Sequence, residues 1–288
     1  MNAPLMQAID SRNKPLGAIL IDEGRLRSED AERVLALQRK HGLRFGEAAK
    51  RLRLVTEEDI QYALSRQFDY PYLVAGKSRL SGELAAAYVP FNPVVESLRA
   101  TRSQLMLRWF GAQVPRHMLA IVSADRGEGR SWVAANLAVV FSQLGERTLL
   151  IDGDLRQPRQ HQIFGVDNTL GLSALLAGRS AERVVQHIPE LRELSVLPAG
   201  APAPNPQELL TRQLCAALLA ELSSQYDVIL IDTPAAAEYA DAQTLAVRAG
   251  GALVVARDTH SHVTRLQQMA DDMQEAGAEI VGSLISRH

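Results

Sequence analysis

Residues 118–131 read Met-Leu-Ala-Ile-Val-Ser-Ala-Asp-Arg-Gly-Glu-Gly-Arg-Ser, and the largely apolar run Trp132 to Leu144 follows directly. An apolar run, a break carrying two glycines and then a long helix-like stretch give strand, loop and helix in that order. Gly127 and Gly129 permit a turn in which successive N–H groups converge on one point, and the helix start adds the positive end of its dipole. That arrangement suits an anionic group such as a phosphate. Ser131, at the head of the helix, places a hydroxyl where it can ligate Mg²⁺.

Outward from this loop, two more apolar runs end in acids. Thr148 to Ile151 runs into Asp152-Gly-Asp154, and Val228 to Ile231 runs into Asp232-Thr-Pro. Carboxylates at the C-terminal ends of parallel strands line the crevice where open α/β sheets bind ligands. Three of them beside a glycine loop outweigh the alternative, in which each Asp merely caps a helix or turn. The expected ligands are therefore ATP and Mg²⁺. Asp125, Arg126, Gly127, Glu128, Gly129, Arg130, Ser131 and Trp132 form the nucleotide loop, and Ser131, Asp154 and Asp232 hold the metal. Asp152 is placed to accept a proton from an attacking hydroxyl, and Arg130 to offset phosphate charge. Against the pattern GxxxxGK[ST], Ala124 stands for the first Gly and Arg130 for the Lys, and Arg is planar and bulkier than Lys.

From Arg116 onward, short apolar runs alternate with longer helical ones, which predicts an α/β domain over 116–288: a mostly parallel P-loop sheet flanked by helices. The N-terminal part is different. Residues 15–38 and 44–67 align without gaps, with Gly17 on Gly46, Ser28-Glu-Asp30 on Glu57-Glu-Asp59, Leu35 on Leu64 and Gln38 on Gln67. Each copy predicts a short and a longer amphipathic helix, giving a small, mainly helical domain over 1–74. Thr56 followed by Asp59 is a capping signal. Val34, Leu35 and Leu37, with Ile60, Ala63 and Leu64, are the expected core positions. Residues 71–93 carry Pro71, Gly76, Gly82, Pro90 and Pro93 and read as an irregular connection; 75–115 is taken as linker plus a helix.

The chain has 288 residues, 47% hydrophobic and 22% charged, with formal net charge −2, which offers no general attraction to nucleic acid. Cys215, the single cysteine, fits a reducing compartment and reads as a buried thiol. Neither Met1 to Lys14 nor any apolar stretch has the length of a signal or membrane span. A cytoplasmic protein is expected, with any inner-membrane association made through a partner. His161 reads as a loop-ordering residue, and His260 with His262 lacks a third metal ligand. Trp109 and Phe110 read as packing anchors.

The segments SADRGEGRS, LLIDGDLRQPRQHQIFG and VILIDTPA resemble the Walker A, A′ and B motifs of bacterial tyrosine kinases of exopolysaccharide chain-length systems, related in fold to deviant Walker ATPases of the MinD type. GLSALLAGR and LPAGAPAPNPQELL extend the likeness over residues 91–288. The resemblance implies an ATP-dependent protein-tyrosine kinase working with a membrane-embedded chain-length-determinant protein. It also implies that Glu96, Arg99 and Arg102 form that family's ExxRxxR motif, through which subunits assemble into a homo-oligomeric ring. The family's tyrosine-rich tail has no counterpart here, which leaves Tyr70 and Tyr72 as expected exposed acceptors. The alternative is an ATP-binding oligomeric regulator with slow or no transfer. Residues 12–73 resemble the N-terminal domain of type II secretion and pilus ATPases, some of which bind cyclic di-GMP through a tandem motif. Pro15 replaces the leading Arg that Arg44 retains, and Arg53 replaces the glycine seen at Gly24, which favours a protein-interaction domain over a dinucleotide receptor.

Overall fold

The computed structural model describes residues 14–67, 73, 78–179 and 184–286, so Tyr70 and Tyr72 lie outside the described residues. The chain divides into two compact units, Met1–Val74 and Ala75–His288.

In the first unit the duplication read from the sequence is a duplication of structure. Helices α1 (Leu16–Asp22) and α2 (Ser28–His41) make one copy, α3 (Phe45–Arg51) and α4 (Glu57–Gln67) the other. Equivalent residues are buried in both: Ile19 and Ala48, Leu20 and Ala49, Leu26 and Val55, Val34 and Ala63. The two matched glycines are contact points. A Cβ on Gly17 would lie 2.7 Å from the Phe45 ring, and one on Gly46 would lie 3.2 Å from Ile60. Thr56 and Asp59 exchange hydrogen bonds, each side chain accepting from the other's N–H at 3.1 and 2.8 Å, which is the reciprocal cap expected. Leu35 departs from expectation. It is 41% exposed, because Val34 already faces the core and a neighbour on a helix points about 100° away.

Gly24 and Arg53 occupy the same left-handed turn, with φ of +68° and +56°. An L-residue with a Cβ is strained there and glycine is not. Arg53→Gly is therefore expected to stabilise this unit by about 1 kcal/mol, read as a higher denaturation midpoint. An unchanged or lower midpoint would show that the Arg53 side chain compensates for its backbone.

The second unit starts with residues that had no periodicity. α5 (Ala85–Tyr88) is preceded by a turn in which Ser81 N–H donates to Ile163 O. α6 (Pro93–Leu105) is opened by Asn92, whose side chain accepts from Val94 N–H, with Pro93 at the first helical position. A π-helical turn, Met106–Phe110, follows and buries Trp109, whose Nε1 donates to Met118 O at 2.8 Å. Phe110 packs edge-on to Phe141 with centroids 5.3 Å apart.

The remaining elements are β1 (Met118–Val122), α7 (Arg130–Ser142), β2 (Thr148–Asp152), α8 (Gln160–Phe164), α9 (Leu172–Leu176), β3 (Gln186–His187), β4 (Leu194–Leu197), α10 (Pro206–Thr211), α11 (Gln213–Ser223), β5 (Val228–Asp232), α12 (Asp241–Ala249), β6 (Gly251–Arg257), α13 (Val263–Glu275) and β7 (Glu279–Ser286). The described strands form one sheet in the order β3-β4-β2-β5-β1-β6-β7. Every pairing is parallel except β3 with β4, as expected for a mostly parallel sheet flanked by helices. The strands β1, β2, β4 and β5 are buried along nearly their whole length because helices cover both faces.

α7 is apolar nearly all round and buried over most of its length, which requires cover on two sides. The sheet supplies one. The segment 83–105 supplies the other through buried polar contacts: Asn136 accepts from Ala86 N–H at 2.9 Å and donates to Glu83 O at 3.0 Å, and Gln143 donates to Ala86 O at 3.0 Å. The stretch read as an irregular connection is thus irregular but docked over 78–92, held by these hydrogen bonds and by the buried side chains of Leu80, Leu84, Ala86, Ala87 and Tyr88. Cys215 is 1% exposed and part of the core. Among the described residues, no helix is long and apolar enough to cross a membrane.

Candidate nucleotide and metal site

The site forms where β1, β5 and β2 lie side by side. β5 sits between the other two, and Asp152 and Asp232, the last residues of their strands, are direct Cα partners. Parallel register therefore brings two acids far apart in sequence together beside the loop that leaves β1. Both are fully buried. Gly127 and Gly129 take φ of +77° and +88°, the left-handed geometry the convergent N–H groups require. A cavity of about 170 Å³ is lined by residues 126–132, Asp154, Gln157, Arg159, Pro234, Ala235 and Tyr239.

Asp152 Oδ2 accepts hydrogen bonds from Arg159 N–H at 3.0 Å and Gln160 N–H at 2.9 Å, while its Oδ1 is buried without a hydrogen-bond partner. Burial pushes its carboxyl well above the usual range and the neighbouring Asp232 adds to the shift; the two N–H donors oppose it. Burial also raises Asp232, with the Arg130 charge and hydrogen bonds from Gln160 and Ser131 pulling it back. Asp232 Oδ1, too, is buried and accepts no hydrogen bond. Asp154 Oδ1 accepts from the N–H groups of Arg156 and Gln157 at 3.1 and 2.9 Å.

Arg130 does not extend away from these acids. It is 9% exposed; its Nη1 donates to Ser123 Oγ at 2.5 Å, its Nε lies 3.6 Å from Asp232 Oδ1, and its Nη2 lies 3.9 Å from Asp154 Oδ2. The guanidinium thus serves as an internal counter-charge for the acids.

Other loop side chains tie the loop down. Asp125 stands outside the cavity wall: its N–H donates to Glu128 Oε2 at 2.8 Å and its carboxylate accepts from Arg265 at 2.7 Å. Glu128 is buried and also accepts from the Ser261 hydroxyl. Arg126 pairs with Glu238 at 2.5 Å, and Arg257 donates to Gly127 O at 3.1 Å. Of the segment 125–132, then, residues 126–132 face the cavity, and Asp125 and Glu128 use their side chains to fix the loop.

A divalent cation fits what remains. Ser131 and Asp154 line the cavity, while the fully buried Asp152 and Asp232, each with one carboxylate oxygen that has no hydrogen-bond partner, do not line it. Among the described residues no three His, Cys, Asp or Glu side chains converge as a protein-only metal cage. Mg²⁺ characteristically binds this way, through few carboxylates with phosphate and water completing the shell.

Sequence reasoning missed Gln160, Arg159 and Tyr239. Gln160 is fully buried and donates through Nε2 to Asp232 Oδ2 at 2.8 Å and to Ser131 O at 3.1 Å, joining the acid at the end of β5 to the start of α7. A glutamine at the start of a short helix carries no pattern that announces this. Glu96, Arg99 and Arg102 are parted by the fold. Glu96 is exposed and pairs with Arg99 at 2.9 Å, whereas Arg102 donates to Val140 O at 2.8 Å and packs onto α7.

Residues 117–276 match the family described as cellulose biosynthesis protein BcsQ. The chain is 38% identical over 200 residues to a putative tyrosine-protein kinase, EpsB, of Ralstonia solanacearum, a match covering 69% of this chain and 26% of that protein. It is 35% identical over 212 residues to the tyrosine-protein kinase YwqD of Bacillus subtilis, covering 73% of this chain and 87% of that one. The chain thus spans about a quarter of the length of EpsB and most of YwqD. The solved kinase domain of the Escherichia coli tyrosine kinase ETK superposes with TM-score 0.68 at 30% identity, covering 73% of this chain and 81% of that domain. With the loop, the strand-end acids and the sheet order all in place, the chain belongs to the family of bacterial tyrosine-protein kinases built on a MinD-like P-loop fold.

Proposed function

We propose that this protein is an ATP-dependent protein-tyrosine kinase that regulates exopolysaccharide chain length or export. The observation that supports it most is the buried pair Asp152 and Asp232, in register beside a left-handed glycine loop and each keeping an oxygen without a hydrogen-bond partner. In this reading the N–H groups of residues 126–132 cradle the phosphates, and Ser131, Asp154 and Asp232 hold Mg²⁺. The metal supplies positive charge that offsets the triphosphate and the acids. Asp152 accepts the proton of the attacking phenol, held in place by the Arg159 and Gln160 N–H groups. The protein works with a membrane-embedded chain-length-determinant protein, peripheral to the inner membrane, and assembles as a homo-oligomer through α6, where Glu96 remains on the surface and is paired with Arg99. Incubation with labelled Mg-ATP, alone and with the partner's cytoplasmic segment, is expected to yield phosphotyrosine.

One observation favours a second reading, an ATP-binding oligomeric regulator. Arg130 is folded onto Asp232 and Asp154 and anchored to Ser123, so phosphate must draw it away from its own counter-ions. ATP binding without transfer would select this reading over the kinase. Lys is a flexible point charge where Arg is a rigid fork. Arg130→Lys is therefore expected to raise the transfer rate by about tenfold, the equivalent of roughly 1.4 kcal/mol in the barrier. A slower variant would mean that the guanidinium itself contacts the transferring group.

A further inference from the structure

Tyr239 sits on the wall of the phosphate-side cavity, together with residues 126–132, Asp154 and Arg159. It also borders a neighbouring cavity of about 450 Å³ floored by Ala124, Ala236, Met269 and Met273. Its ring is half-buried and held in place. The Arg156 guanidinium lies 3.7 Å from the ring centroid, and Arg156 is itself anchored on the buried Asp241 at 2.7 and 3.3 Å. A stacked guanidinium fixes the ring plane without engaging the hydroxyl.

The other described tyrosines are placed otherwise. Tyr88 is buried with its hydroxyl donating to Leu80 O at 2.8 Å, Tyr226 packs against the core, and Tyr62, in the first unit, donates to Glu23 at 2.9 Å. Among the described residues Tyr239 is therefore the tyrosine that shares a wall with the nucleotide loop.

We propose that Tyr239 is a phosphate acceptor, modified in cis by the nucleoside triphosphate held in the loop 126–132. This rests on the kinase reading above and names a substrate for it. In the step, the phenol oxygen forms a bond to the γ-phosphorus while the bond from that phosphorus to the β,γ-bridging oxygen breaks. The electron pair leaves with the diphosphate, and the phenol proton passes to Asp152, the acceptor in the kinase reading. The product is a dianion beside Arg126 and Arg159. Both now hold exposed carboxylates, Glu238 and Glu83, in weak surface pairs that a phosphate dianion exchanges for charge-assisted bonds at little cost.

The test uses the full chain with Mg-ATP carrying labelled γ-phosphate, a random Glu-Tyr polymer as external acceptor, and fragment-ion mapping that separates Tyr239 from Tyr226. Phosphate on Tyr239, at a fractional rate unchanged over a tenfold dilution of the protein, is the expected result. Label on the polymer or on other tyrosines with Tyr239 bare would overturn this inference and leave the kinase reading standing. A Tyr239 rate that falls in proportion to dilution would overturn modification in cis. Bound nucleotide with no transfer to any tyrosine would sink both.

Discussion

Replacing Asp152 by asparagine is expected to lower phosphotyrosine formation by about 10²–10⁴-fold, the range a positioned acid–base group contributes, while the protein melts at a higher temperature. The two effects share one cause. Asp152 is fully buried next to Asp232, and its carboxyl is pushed up, first by burial and then by that neighbour. A carboxyl whose folded pKa exceeds its unfolded value adds stability below the ordinary carboxylate range and loses it as pH rises through the folded pKa. At neutral pH the native state therefore bears the cost of a charge that the fold keeps for chemistry. Asparagine removes that charge and retains an oxygen to accept from Arg159 and Gln160 N–H. The gap in melting temperature between variant and parent should widen from acidic to neutral pH. Wild-type transfer by the variant would remove Asp152 from the reaction, and a lower melting point at neutral pH would refute the buried-charge argument.

Trp109→Ala is expected to destabilise the second unit by about 3–5 kcal/mol, as deletion of a buried aromatic does. Trp109 is 1% exposed. Its indole N–H holds Met118 O at the start of β1, and Arg116 lies 4.0 Å over its ring. The ring also fills the space above Gly251, where a Cβ would come within 2.4 Å of it. The residue thus ties the π-helical turn to the first residues of two adjacent central strands, and its loss leaves both a cavity and an unpaired carbonyl. Urea titration of the variant and its parent gives the number directly. A loss below about 1 kcal/mol, the scale of an ordinary surface change, would mean that the strands hold their positions without it.

How much of this was legible beforehand depends on how local the physics is. Gly127 and Gly129, the acids ending two strands, the parallel α/β class, the duplicated helices and the burial of Cys215 could all be read from the sequence. Each is set within a few residues: a turn needs glycine, a buried strand needs an apolar run, a helix needs its cap. Leu35 was misassigned because a one-residue error in helical phase moves a side chain from core to surface. Residues 78–92 looked like mere connection because their buried apolar side chains, Leu80, Leu84, Ala86, Ala87 and Tyr88, sustain no helical or strand period, and the hydrogen bonds to Asn136 and Gln143 leave none either.

The sequence by itself determined that phosphate-binding geometry and carboxylates would occur, and on which segments. Only the tertiary structure decided which groups meet. Parallel register set Asp152 against Asp232. The return of the chain after β2 placed Gln160 between Asp232 and Ser131, and burial folded Arg130 back onto the acids while turning Arg102 toward α7. These outcomes depend on distances between residues tens of positions apart, and those distances are fixed by sheet order and packing rather than by residue type. The same holds for Tyr239, one tyrosine among six in the chain, which the loop after β5 sets beside the phosphate site.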